Sequence, residues 1–412
     1  MSNGINRRKF FRKASRTLMV GGAVAYGSGV AEARSKKRPV VKGVDYYNKL
    51  GVTPFINAAG TFTILSASIL PAEVQAAMTL AAQQPVNIEE LHRAAGEYLA
   101  GRLHCGGALV TAGAASALTL GTAACISLGN DQAIVNLPVE MSGLKNEVIV
   151  QKTHRYGYDH ALRNCGIKFV DVETLADYEA AFNERTVMAH FFNAAEGGQI
   201  SREDWVRVAH QHGVPCFNDA AADVPPIANL WNYTQMGFDL VTFSGGKGIR
   251  GPQCTGLLLG RKDLIEFAVK NNNPYGNTVG RGMKVGKEEI VGMVAAVDWF
   301  LSQDETAMIA GFQKSAERIA AEVENVPTVE TKIFVPPVAN QVPHLQITYD
   351  QNRIGMTGQQ IMEKMRKGTP RIELNPSVGP NFVTVGVWML QPDEDVVVAR
   401  RLREVLGGAM QS

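Results

Sequence analysis

From about residue 105 to residue 260, short runs rich in β-branched and other apolar residues alternate with helix-length segments whose apolar positions recur every three to four residues. This alternation defines an α/β fold with a mostly parallel sheet, because each helical crossover returns the chain to the same edge. Gly107 to Thr111, Glu147 to Gln151, Lys168 to Val172, Val187 to Phe192, Val214 to Asn218 and Asp239 to Phe243 read as strands. A seventh run, Thr255 to Gly260, follows the sixth too closely for a helical crossover and is expected to run antiparallel to its neighbour. Helical periodicity covers Ala72 to Gln83, Ile88 to Leu103, Ala114 to Leu128, Asp204 to His212 and Lys262 to Asn271. After about Lys287 come two long helical segments, strands near Thr331 to Phe334 and Leu345 to Tyr349, a helix from Gly358 to Arg366 and a last helix over Glu394 to Leu406. The expected division is a large domain over 61–285 and a smaller C-terminal α+β domain over 286–412, preceded by an N-terminal arm over 34–60. Two domains also suit 412 residues of which 45% are hydrophobic and 19% charged.

The first 33 residues read separately. Asn6-Arg7-Arg8-Lys9-Phe10-Phe11-Arg12-Lys13 precedes a weakly apolar stretch, Leu18 to Val30, and then Ala31-Glu32-Ala33. A basic region, a short apolar region and a small-residue cleavage site make the layout of a twin-arginine signal peptide over 1–33, which implies the export machinery as a partner and a periplasmic location. A mere basic tail would instead leave the protein in the cytoplasm. No apolar run reaches the roughly 18–20 residues needed to cross a bilayer, so no stable membrane anchor is expected. The segment holds six Lys or Arg and one acidic residue. Since the whole chain has 41 basic and 39 acidic residues, the remainder carries 35 and 38, a net of −3. A mildly acidic body lacks the electrostatic footprint of a nucleic-acid binder. The five cysteines form no CxxC pair and the eight histidines no HExxH, so neither a disulfide framework nor a metal site is expected. Unpaired thiols fit folding in a reducing compartment before export.

Ser244-Gly245-Gly246-Lys247-Gly248 follows the sixth strand, which puts Lys247 in a loop beyond a strand's carboxyl end, where open α/β sheets bind ligands. A partly desolvated amine there is a competent Schiff-base nucleophile. A lysine among glycines is on its own as readily a solvated loop charge. Asn218-Asp219-Ala220-Ala221-Ala222 ends the preceding strand, so one crossover brings Asp219 to the same edge. A carboxylate there can keep a pyridine nitrogen protonated, whereas alone it would serve as a helix cap. Val110-Thr111-Ala112-Gly113-Ala114-Ala115-Ser116 runs from a strand through small residues into a helix, a turn that exposes backbone N–H groups to a phosphate. Phosphate turn, aspartate and lysine in this order point to pyridoxal 5′-phosphate (PLP) joined to Lys247.

These residues resemble the fold-type I PLP-dependent enzymes, and within them the selenocysteine synthase-like family of L-seryl-tRNA(Sec) selenium transferase and D-glucosaminate-6-phosphate ammonia lyase. The resemblance spans roughly residues 45 to 410. It rests on Phe55-Ile56-Asn57-Ala58-Ala59-Gly60-Thr61, Tyr158-Asp159-His160-Ala161, Asn218 to Ala222, Ser244 to Gln253 and Gly280 to Glu288. His154 to His160 and the last segment favour the ammonia-lyase side. The resemblance implies that Lys247 carries the cofactor and Asp219 pairs with its ring nitrogen, while Thr111, Gly113, Ala114 and Ser244 lie near its phosphate. By the same resemblance His154 falls near the ring, Arg281 and Lys284 form a basic strip facing a substrate, and Arg371 is a candidate for the substrate carboxylate. It also implies a homodimer or larger homo-oligomer.

The expected activity is on a small-molecule amino acid or amino sugar acid, by Cα-proton abstraction and β-elimination of the ammonia-lyase type. A β-replacement transferase, an aminotransferase or a racemase on the same fold are the alternatives, with a non-catalytic PLP-binding or ligand-binding protein as one of another class. Replacing Arg7 and Arg8 together by Lys is expected to hold the protein in the cytoplasm, as read by cell fractionation. Unchanged periplasmic appearance would refute the signal assignment.

Overall fold

The computed structural model describes residues 43–195 and 197–408, and the signal segment 1–33 therefore lies outside the described residues. Residues 44–408 belong to one compact unit built on two sheets. In chain order the strands are β1 (Ile56–Ala58), β2 (Gly107–Thr111), β3 (Glu147–Gln151), β4 (Lys168–Val172), β5 (Thr186–Phe192) and β6 (Cys216–Asp219). They continue with β7 (Leu240–Ser244), β8 (Gly256–Gly260), β9 (Glu330–Phe334), β10 (His344–Thr348), β11 (Ile372–Gly379) and β12 (Phe382–Gly386). The seven-stranded sheet has the order β2-β8-β7-β6-β5-β3-β4. Its pairings are parallel except those of β8, which runs antiparallel to both β7 and β2. The short connection behind the sixth strand anticipated this reversal.

The helix Gly113–Ser127 crosses beneath this sheet and is buried from Ser116 to Ser127. Its sequence, GAASALTLGTAACIS, has no polar face, as a helix enclosed on all sides requires. Small side chains let it approach closely. A Cβ at Gly121 would come within 2.5 Å of Phe217 Cε1 on β6. The outer face of the sheet is closed by more conventional amphipathic helices. The helix Arg202–Gln211 buries Trp205, Val206, Val208 and Ala209, with the Trp205 ring stacked 3.9 Å from that of Tyr178.

The five-stranded sheet has the order β1-β11-β12-β10-β9, so its first strand comes from the N-terminal side of the large sheet. β1 pairs in parallel with β11, Ile56 opposite Ile372 and Ala58 opposite Leu374. The helices Glu305–Val323 and Glu394–Gly407 pack against each other over this second core, which contains Ile319, Val323, Leu345, Val385, Val398 and Leu402. The helix Lys287–Leu301 packs instead on Ala72–Ala81 and Ile88–Arg102. No helix of the described residues is long and apolar enough to cross a membrane.

The close approach at Gly121 sets the sign of a substitution. Alanine in a helix interior normally gains about 1 kcal/mol over glycine. Here its methyl group meets an enclosed ring, and overpacking costs about 1–3 kcal/mol. Gly121→Ala is therefore expected to lower the urea midpoint, and a raised midpoint would contradict the packing described.

Candidate active site

Parallel strands deliver their following loops to one edge, and the polar groups gather there. Asp219 is the last residue of β6, Lys247 follows β7 by three residues, and the turn Thr111-Ala112-Gly113 leaves β2. Lys247 is half-buried, and among the described residues its Nζ has no hydrogen bond or ion pair. Burial lowers its pKa, opposed by the charges of Asp219 and Asp223. Asp219 is 3% exposed, and burial raises its pKa. Three contacts oppose that rise: the Tyr156 hydroxyl donates to Oδ2, the Ala221 N–H donates to Oδ1 at 3.0 Å, and Lys247 adds its charge.

The loop that carries Lys247 has almost no room for side chains. A Cβ at Gly245 would stand 2.2 Å from Thr255 Oγ1, and one at Gly248 2.1 Å from the Val224 carbonyl oxygen. Ser68 Oγ donates to the Gly246 carbonyl at 2.6 Å, and Gly245 N–H to the Thr255 carbonyl at 2.8 Å. Lys247 is thus held by backbone packing rather than by its own charge.

The turn expected to face a phosphate leads directly from β2 into a helix. The helix Gly113–Ser127 begins with Gly113 at φ +85°, and no side chain caps its N-terminus. The nearby hydroxyls turn back on the main chain, Thr111 Oγ1 to the Gly113 carbonyl at 2.9 Å and Ser116 Oγ to the Ala112 carbonyl at 2.8 Å. The first N–H groups of a 15-residue helix are left facing the sheet edge, where an anion is favoured. Gly256 at the start of β8 abuts this turn, since its Cβ would lie 2.5 Å from the Gly113 carbonyl carbon. Ser244, half-buried at the end of β7, completes that side.

His154 is 2% exposed, and its Nδ1 accepts the Phe192 N–H at 3.2 Å. Burial first, and then the charge of Arg202, lower its pKa to about 4, so the ring is neutral. It lies edge-on to Phe191, 4.4 Å between centroids. The residue that reaches Asp219 is Tyr156, whose ring stacks 3.9 Å from Phe192. The motif around it explains its placement: buried Asp159 binds Arg155 at 2.8 Å and Arg163 at 3.2 Å, pinning the segment.

The basic candidates divide. Arg371 is committed to Glu373, a 2%-exposed carboxylate at 2.7 Å that also binds Arg366 at 2.8 Å. Arg281 and Lys284 lie exposed on the segment before the helix Lys287–Leu301. Arg281 Nη1 donates to Asn273 Oδ1 at 3.0 Å, and neither residue has an ion pair among the described residues. Among the described residues no hydrogen bond or ion pair joins either of them to Lys247 or Asp219. Sequence reading missed Tyr156 and also Asp223, a 2%-exposed carboxyl that faces Asn193, the Tyr233 hydroxyl at 3.2 Å, and Lys247. The signal for Asp223 was present, four residues beyond Asp219 in the same loop.

Residues 55–342 match the family described as SelA, L-seryl-tRNA selenium transferase. The chain belongs to this family. Among its relatives, D-glucosaminate-6-phosphate ammonia lyase of Salmonella typhimurium is 28% identical over 87% of this chain and 97% of that protein. A 5′-C-glycyluridine monooxygenase-decarboxylase of a Streptomyces species is 28% identical over 88% of this chain and 93% of its own. A solved structure of D-glucosaminate-6-phosphate ammonia-lyase superposes with a TM-score of 0.77 at 26% identity, over 89% of this chain and 99% of that one. SelA-like and aminotransferase-fold families are PLP-dependent, and this family member is an enzyme with their α/β fold.

Burial, with the Asp219 charge adding, pushes the Asp223 carboxyl up to about 6. Its folded pKa then exceeds the unfolded value, so the folded chain holds this proton more tightly and loses stability as pH rises from about 4 to about 6. Asp223→Asn removes that loss. Its urea stability relative to the native chain, measured without cofactor, is expected to climb across this window and level off above it. A pH-independent difference would show that Asp223 titrates normally.

Proposed function

We propose that the chain is a PLP-dependent enzyme acting on an α-amino acid or amino sugar acid, by Cα-proton abstraction and β-elimination of the ammonia-lyase type. The observation that carries this reading is the shared edge on which Lys247, buried Asp219 and the uncapped start of the helix Gly113–Ser127 meet. These groups suit the three parts of PLP: an amine for its aldehyde, a carboxylate for its ring nitrogen, and open N–H groups for its phosphate.

PLP, when bound, supplies the electron sink that acidifies the Cα–H of an amine substrate. The chain's own residues handle the proton. Because burial lowers the pKa of Lys247, its Nζ is less firmly protonated than an exposed lysine, and it can take a proton from Cα and return it to a departing group at Cβ. Asp219 stands at the foot of the site, where the Ala221 N–H, the Tyr156 hydroxyl and the Lys247 charge favour its carboxylate form against the cost of burial. Tyr156 occupies one carboxylate oxygen, which makes it the residue that would yield to a ring nitrogen there. The Gly113 to Ala115 backbone holds an anion at the other end.

Two relatives aligned over more than nine-tenths of their own length are named for amino acids carried on a sugar-derived chain, which favours a polyhydroxylated substrate. A net charge of −3 outside residues 1–33 favours a small substrate over tRNA. Export by the twin-arginine route and a periplasmic site of action are part of the same proposal, and so is assembly into homo-oligomers.

Purified protein is expected to show a visible Schiff-base absorbance that borohydride abolishes, and Lys247→Ala to lack it. Turnover in that variant should fall by about a thousandfold or more. A screen of Lys247→Ala reconstituted with PLP against amino acids and amino sugar acids is expected to restore a visible band with the true substrate alone. Native protein without such a band would sink the PLP reading.

A further inference from the structure

We propose that His210, Cys216 and Asp239 form a binding site for one zinc ion at the edge of the large sheet opposite Lys247, with a fourth position open to water. The three residues come together because β6 and β7 are parallel neighbours. Cys216 opens β6 and Asp239 immediately precedes β7, so their starts lie side by side. The Asp239 N–H donates to the Cys216 carbonyl at 3.0 Å, and the Cys216 N–H to Asp239 Oδ2 at 2.8 Å. His210, in the last turn of the helix Arg202–Gln211, closes the triangle from outside.

One ligand atom from each residue lies within 4.8 Å of the others. Cys216 Sγ stands 3.3 Å from Asp239 Oδ2 and 3.8 Å from His210 Nε2, and these last two atoms are 2.9 Å apart. Tetrahedral zinc, with bonds of ~2.0–2.3 Å, spaces its ligand atoms by about 3.3–3.6 Å, so only small shifts separate the triangle from a coordination shell. Thiolate, imidazole and carboxylate are the donors zinc prefers. Thiolate and carboxylate charges together neutralise a dication, while Arg261 is balanced by Asp263 at 2.6 Å. Arg261 Nη1 also donates to Asp239 Oδ1 at 3.1 Å, which turns the other oxygen towards the sulfur, as an outer-shell partner does.

Cys216 is fully buried and Asp239 6% exposed, but the His210 side chain is 45% exposed and offers an ion a way in. Without a cation the sulfur has little to gain from this position, because a thiol is a weak donor and both carboxylate oxygens already have N–H partners. Burial, and next the Asp239 charge, hold the thiol pKa well above its usual value, an order that a bound dication inverts. On binding, the S–H bond breaks, a Zn–S bond forms and the proton passes to water. Affinity therefore rises with pH. The spacing of these residues matches no metal motif, and only the sheet register brings them together.

Cobalt titration of the full-length, cofactor-loaded, thiol-reduced protein tests the site, since tetrahedral cobalt bound to sulfur is coloured and the metal-free protein lacks those bands. The expected result is one cobalt per chain with ligand-field and sulfur charge-transfer bands that zinc displaces. Outer-shell changes alone weaken such sites by about 10–100-fold, so His210→Gln, at a half-exposed position, should weaken binding at least about tenfold. Cys216→Ser should remove the sulfur band, and Cys105→Ser should leave the spectrum intact. No stoichiometric binding, or a spectrum unchanged by His210→Gln, overturns the proposal.

Discussion

The contact between the helix Gly113–Ser127 and the large sheet is the constraint on which the remaining geometry depends. One helix, without a polar face, touches β6 through Gly121 and Phe217 and meets β8 where Gly256 abuts Gly113. Its axis therefore sets the height of the Thr111-Ala112-Gly113 turn relative to Asp219 and Lys247. Bulkier side chains would lift the helix from the sheet and carry its positive end away from the other groups. Close packing of this helix, added to the hydrogen bonds of the sheet, aligns the three parts of the site.

The electrostatics follow from that alignment. Lys247 and two buried carboxyls share one low-polarity edge, where burial disfavours the charged form of each; attraction between the lysine and the carboxylates restores part of it, while the Asp219 charge works against that of Asp223. Such a balance is poor for stability, since charges buried without close contact recover little of their desolvation cost. It is well suited to moving protons, because small changes in what is bound alter which group is charged.

Much of this was legible from residue order. Strands β2, β3 and β4 and the reversed β8 followed from apolar runs and connection lengths, and Lys247, Asp219 and Gly113 from their places after strands. Short elements such as Leu175–Ala181 and Asn229–Met236 escaped because two turns carry too little periodicity to register. β1 was read as part of an arm because three residues show no alternation, and its partner lies more than 300 residues away. Tyr156 was hidden by an aromatic-rich segment in which sequence cannot say which ring points inward. Arg371 looked available, yet Glu373 two residues later lies on the same face of β11 and pairs with it. Cys254 is exposed and Cys105 half-buried while the other three cysteines are buried, a difference that residue order does not reveal.

The pairing of β1 with β11 also orders events in time. Ile56 is made more than 300 residues before Ile372, its neighbour in the sheet. The second sheet cannot close until β11 has been made, and its first strand waits for a partner that follows every strand of the large sheet. Until that pairing forms, the exposed edge of β1 is open to wrong partners.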